Sequence, residues 1–242
     1  FCLAFGTAGT GGFAVTGAGI AAYDSLAIEI TLGIFMLLFG VNFSVYHLLM
    51  LRKVKEIFSM EEVKVYFGVV AVATLSIACN VIRMAGGFGN ALRQAFFQVS
   101  SIITTTGFST VDYDLWPEFS KHVLVLLMII GACAGSTGGG LKISRVIILV
   151  KSFVLEIRQI INPKEIVTVR LNGKPVDKKT LGSTRIYAAA YLILICVFTL
   201  VVSLDGFDLT TNLTAVLSCF NNIGPGLNMV GPVQNFSIYS VW

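Results

Sequence analysis

Three short segments carry residue types suited to holding a dehydrated cation: Ala8-Gly9-Thr10-Gly11-Gly12-Phe13, Ile103-Thr104-Thr105-Thr106-Gly107-Phe108 and Asn221-Asn222-Ile223-Gly224-Pro225-Gly226. Each follows an apolar or small-residue run and precedes a polar loop. An ion entering a narrow pore must shed water, and carbonyl oxygens from several strands can replace it. Glycine reaches backbone angles that aim carbonyls inward, and threonine adds a hydroxyl. The predicted oxygen donors are Thr10, Gly11 and Gly12, then Thr105, Thr106 and Gly107, then Asn222, Ile223 and Gly224. Phe13 and Phe108 are expected to pack behind them. Taken singly, each segment reads as an ordinary loop; the reading rests on three in register.

A second glycine-rich stretch runs from Gly131 to Lys142 and interrupts an apolar run halfway. Consecutive glycines hold a helix poorly, at about 1 kcal/mol each relative to alanine, and backbone left unpaired at membrane depth must face water or protein. Gly135, Ser136, Thr137, Gly138, Gly139, Gly140 and Lys142 are the candidate gate beneath the filters. The alternative is a packed kink between helices. A P-loop is excluded, because Leu141 separates Gly140 from Lys142 and no strand precedes the stretch. Phe39-Gly40-Val41-Asn42-Phe43-Ser44 sits at the corresponding place in the preceding span, either lining a pore or making a helix contact.

The elements that must position these residues are membrane helices. Hydrophobic residues make up 55% and charged residues 12% of the 242, against about 25% charged in soluble domains; mean hydropathy is +0.84. Spans are expected over 25–51, 64–85, 119–160 (interrupted) and 184–204. The segments 89–103 and 209–220 are too short to cross a core of about 30 Å, and each ends at a candidate filter. They read as re-entrant pore helices, with 1–8 the tail of an equivalent one. The repeated unit is span, pore helix, filter, span, and internal repeats of this kind build membrane pathways. The organisation expected is 1–51 as the second half of one repeat, 52–160 as a whole repeat with the intramembrane loop, 161–183 as a cytoplasmic linker, and 184–242 as the first half of another. The start inside a re-entrant segment reads as a missing N-terminus.

Charge orients these units. Of 17 Lys and Arg, 14 fall within 52–64 and 142–185, which the positive-inside rule places in the cytoplasm. The filters then open outward, where Asp24, Glu29, Asp112, Asp114, Glu118, Asp205 and Asp208 either draw cations or form ordinary solvated loops. The net charge of +4 follows topology and does not indicate nucleic acid. Five cysteines without paired spacing read as packing residues. Two histidines and no HExxH or CxxC pattern argue against a protein-ligated metal site. The rivals to a channel-like transporter are a sodium- or proton-coupled cation transporter and an intramembrane enzyme; the latter needs a nucleophile–base pair at depth, and neither His47 nor His122 lies there.

Phe96-Phe97-Gln98-Val99 leading into 104–108, then 131–142, then 221–227, resemble in this order the Trk/Ktr/HKT superfamily of potassium transporters, most closely its TrkH-type bacterial members. The resemblance covers almost the whole chain. It implies an all-α, multi-pass protein of the bacterial inner membrane, with four repeats around one pore of which this chain holds the second filter, the third repeat and the fourth filter. It implies potassium as the transported ion, no covalently bound cofactor, filter oxygens from the nine residues above and a gating loop at 131–142. It also implies a homodimer under a TrkA-like cytoplasmic ring that binds nucleotides. The basic linker 151–185 is the expected docking surface for that ring; the alternative is a linker resting on anionic lipid. The pattern departs from the family in Asn222 and Pro225, where a Thr and a Phe are expected, and in lacking the first filter and the last span.

Overall fold

The computed structural model describes residues 1–16, 19–162 and 168–240. Short helix α1 (Cys2–Ala8) leads to the first glycine segment. The next apolar run is not one straight span. It forms α2 (Leu26–Phe39) and α3 (Ser44–Met50), bent by 94° at the 40–43 break. At 14 residues, α2 covers roughly 21 Å and cannot cross alone. After α4 (Val54–Ser59), helix α5 (Glu61–Val81) crosses in one piece. It starts three residues before the expected boundary.

The pore helices fall where the apolar spacing put them. α6 (Phe88–Ile103) has 16 residues, and α10 (Leu209–Asn221) has 13. The C-terminal half of α6 is buried throughout, from Phe97 to Ile103. α10 starts at a true cap, because the Asp208 carboxylate accepts the Thr211 N–H at 3.1 Å. Between them lie α7 (Glu118–Ile130) and α8 (Ile143–Ile161), the two parts of the interrupted span. α9 (Lys178–Val202) is the second continuous crossing. Only 17% of its most apolar window is buried within this chain, so most of its leucines and isoleucines are exposed here.

One core joins α5, α6 and α7, with Tyr66, Ile77, Val99, Ile102, Leu124 and Met128 inside. Of the cysteines only Cys133 is buried, against the packing role expected for all five. In a bilayer an outward-facing thiol costs little, so burial is not enforced there.

The one sheet among the described residues is a hairpin of two-residue strands, β1 (Arg170–Leu171) with β2 (Lys174–Pro175), closed by Asn172 and Gly173, both at positive φ. It lies in the linker, of which 163–167 fall outside the described residues. Its turn touches the start of α5 through the Asn172–Glu61 bond, so both basic segments share one face, as the charge count requires.

On the outer side Glu29, 6% exposed, receives two bonds from Arg93 at 2.6 and 2.7 Å. Removing one partner of such a pair leaves an uncompensated charge. Arg93→Leu is expected to cost about 3 kcal/mol, seen as a lower thermal midpoint in detergent, with partial recovery when Glu29→Gln is added. An unchanged midpoint would contradict this.

Candidate pore and intramembrane loop

The three candidate filters share one backbone turn. Thr10, Thr105 and Asn222 each end a pore helix in the left-handed region, at φ 49°, 57° and 57°. Two residues on, Gly12, Gly107 and Gly224 again have positive φ, at 64°, 86° and 109°. The N–H groups behave identically. Thr10, Thr105 and Asn222 each donate to the carbonyl three residues back (3.3, 3.1 and 3.2 Å). Gly11, Thr106 and Ile223 each donate to the one five back (2.7, 2.9 and 2.8 Å). Every strand thus turns its donors toward its own helix. Asparagine visits the left-handed region readily, whereas threonine does so rarely and at a cost, which marks Thr10 and Thr105 as strained positions.

The strands also meet edge to edge. A Cβ on Gly12 would lie 1.9 Å from the Thr106 carbonyl oxygen, and one on Gly107 would lie 1.8 Å from that of Ile223. The corresponding glycine of the third strand, Gly224, has nothing within 4 Å of its Cβ position. The order around the assembly is therefore first, second, third strand, with one open flank. Among the described residues no hydrogen bond reaches the carbonyl oxygens of Thr10, Gly11, Gly12, Thr105, Thr106, Gly107, Asn222 or Ile223. The Gly224 carbonyl differs, accepting the Ser218 hydroxyl at 2.6 Å. Phe108 packs behind its strand at 2% exposed, as expected, but Phe13 is 78% exposed and does not.

The 131–142 segment lies directly against all three strands. Thr10 Oγ1 donates to the Thr137 carbonyl at 3.1 Å, and the Gly139 N–H donates to Thr105 Oγ1 at 2.7 Å. A Cβ on Gly139 would lie 2.1 Å from the Asn221 carbonyl oxygen, and one on Gly138 would lie 2.8 Å from that of Thr104. Glycine is needed for this approach. Lys142, at φ 78°, turns its ammonium back onto the Gly138 carbonyl. Ser136 closes a tight turn by donating to the Cys133 carbonyl at 2.7 Å.

Sequence reasoning left the role of the 40–43 break open, and the structure gives it to the loop. The Cys133 N–H donates to the Gly40 carbonyl and the Phe43 N–H to that of Gly135, both at 3.0 Å. Gly135 and Gly140, at φ 70° and 81°, make the turns this requires. The two broken spans are thus laced together. Two further residues have no role of their own in the sequence reading. Asn221 Nδ2 bonds the Met128 carbonyl (3.1 Å) and the Tyr191 hydroxyl (2.9 Å), fixing the third strand to α7 and α9. Buried Glu62 accepts the Ala134 N–H. Its signal was an acid placed at the head of an apolar helix.

The outer acids act mainly as braces. Asp114 accepts the Asn228 N–H, and Asp208 accepts the Asn228 side-chain amide, both at 2.9 Å. Hydrogen bonds, first of all from Thr211, hold the Asp208 carboxyl below its usual range, and Asp112 caps its own turn. Glu118 pairs with Lys121 at 2.6 Å.

Broken apolar helices converging on glycine turns, with a glycine-rich loop packed under them, are the architecture of a polytopic membrane protein. The chain belongs to the TrkH family of cation transport proteins, whose family model matches residues 80–239; this is a family of transporters, not of enzymes. It is 33% identical over 238 residues to the Trk system potassium uptake protein TrkH of Escherichia coli K12, and 32% identical to that of Salmonella typhimurium. Each alignment covers 96% of this chain and 48% of the relative. TrkG of E. coli K12 is 29% identical over 228 residues, covering 93% of this chain and 47% of that protein. The crystal structure of the potassium transporter TrkH from Vibrio parahaemolyticus superimposes with a TM-score of 0.87 at 28% identity, over 93% of this chain and 49% of that one. The chain thus spans about half the length of the relatives it matches.

Proposed function

We propose that the full-length protein carries potassium into the bacterial cell across the inner membrane, through a filter to which this chain contributes three of four strands. The observation that carries this reading is the triple repetition of one turn, with donors facing back, strands edge to edge and a row of carbonyls that no hydrogen bond reaches. Carbonyls that accept no hydrogen bond are free to replace an ion's water, and a dehydrated monovalent cation can take oxygens from all three strands at once. Gly224, with space beside it, is the flank at which a fourth strand closes the ring. The repeats divide at 1–51, 52–160, 161–183 and 184–242, and the 131–142 loop is the gate. A homodimer, and a nucleotide-binding TrkA-like ring on the basic cytoplasmic face, complete the assembly. Movement needs no chemistry, because 100 mV inside-negative contributes about 2.3 kcal/mol per cation.

Voltage clamp of the full-length protein, with and without a pH gradient, tests this. The current should reverse at the potassium potential and ignore the pH gradient. A reversal potential that follows protons would instead establish a coupled transporter.

A further inference from the structure

Two adjacent carboxylates at the head of α5 look in opposite directions. Glu62 is 5% exposed, and its Oε1 accepts the Ala134 N–H of the intramembrane loop at 2.6 Å. Glu61 faces the cytoplasmic side. Its N–H donates to Asn172 Oδ1 in the hairpin turn at 2.7 Å, and its carboxylate pairs with Lys151. Lys151 also donates to the Arg170 carbonyl at 2.9 Å, so it clamps the hairpin from the α8 side. One peptide unit of α5 therefore stands between the linker hairpin and the loop packed under the filters.

We propose that Glu61 and Glu62 link the 170–175 hairpin to the intramembrane loop, with Glu62 as the positioning residue that holds the loop beneath the filters. This rests on the reading of the loop as a gate. Acids in a first helical turn commonly serve the helix dipole, but that role needs neither burial nor a partner on another segment. Burying a carboxylate is costly unless donors meet it, and the donor here belongs to the loop. A displacement of the hairpin shifts Glu61, and with it the residue on which Ala134 depends. The segment that joins two spans on the cytoplasmic side thereby acts as an input to the gate.

The test is rubidium influx into vesicles holding the full-length protein without its cytoplasmic partner. Glu62→Ala should raise basal influx about tenfold, the effect of losing one hydrogen bond to a charged group. Glu62→Gln keeps the acceptor and should stay within roughly threefold of wild type. If the acid served only the helix dipole, Glu62→Gln would match Glu62→Ala, and the proposal would be overturned. Asn172→Ala should raise influx by about threefold when Glu62 is present and add nothing in the Glu62→Ala background, because the two act in series. Equal effects in both backgrounds, or none in either, would overturn the link. If Glu62→Ala does not assemble, Glu62→Leu, which fills the space without an acceptor, takes its place as the background for Asn172→Ala. Deleting Gly138 to Gly140 separates the layers. Higher influx on deletion but not with Glu62→Ala sinks the link and keeps the gate, whereas no change in either sinks the gate itself.

Discussion

Gly107→Ala in the full-length protein is expected to abolish rubidium uptake, lowering the initial rate by about a hundredfold or more. A single methyl suffices because its place is taken: it would sit 1.8 Å from the Ile223 carbonyl oxygen, a backbone atom of the neighbouring strand. Overpacking of this kind costs roughly 1–3 kcal/mol, and the left-handed backbone adds about 1–2 kcal/mol for a residue with a Cβ. About 3 kcal/mol corresponds to about a hundredfold. The strands must separate to accept the methyl, which removes the shared row of oxygens. Gly107→Arg should be as severe, since it also puts a cation in the path. Gly89→Ala is the matched control, because its Cβ meets nothing within 4 Å. Uptake at the wild-type rate in Gly107→Ala would contradict the close meeting of strands.

Deleting Gly138 to Gly140 should raise basal potassium current about tenfold, within the usual span of coupling between sites, while leaving the potassium-to-sodium permeability ratio unchanged. On the proposed reading the loop would block through its bonds to the strands, Thr137 to Thr10 and Gly139 to Thr105. Selectivity should survive because the turns do not depend on the loop. Their N–H groups bond to carbonyls of their own helices, Gly6, Ser101 and Ser218 among them. A changed permeability ratio would show that the loop shapes the filter. An unchanged current would show that it does not gate.

Much of this architecture was legible in the sequence, for identifiable reasons. α5, α6, α9 and α10 follow directly from the lengths of the apolar runs, and the positions of the three shared turns follow from where those runs stop at Gly, Thr or Asn. The 94° bend after α2 was not legible, because Gly40 within an apolar run does not declare an angle; the bend is held by the Cys133–Gly40 and Phe43–Gly135 bonds, which join residues far apart in the chain. The positive φ of Thr10 and Thr105 ran against their β-branched preference, so only the packed structure reveals it. Glu62 was hidden by counting it among cytoplasmic charges, although the membrane helix already begins at Glu61. Phe13 resembled Phe108 by position, yet only Phe108 has pore-helix neighbours to cover it.

The central claim is that peptide oxygens of these three strands jointly hold a monovalent cation on one axis. Anomalous diffraction from crystals of the full-length protein grown in rubidium addresses it most directly. The account predicts a peak touching carbonyl oxygens of all three turns, at Thr10–Gly12, Thr105–Gly107 and Asn222–Gly224. A rubidium peak held by side-chain carboxylates away from those turns, with none between the strands, would contradict it.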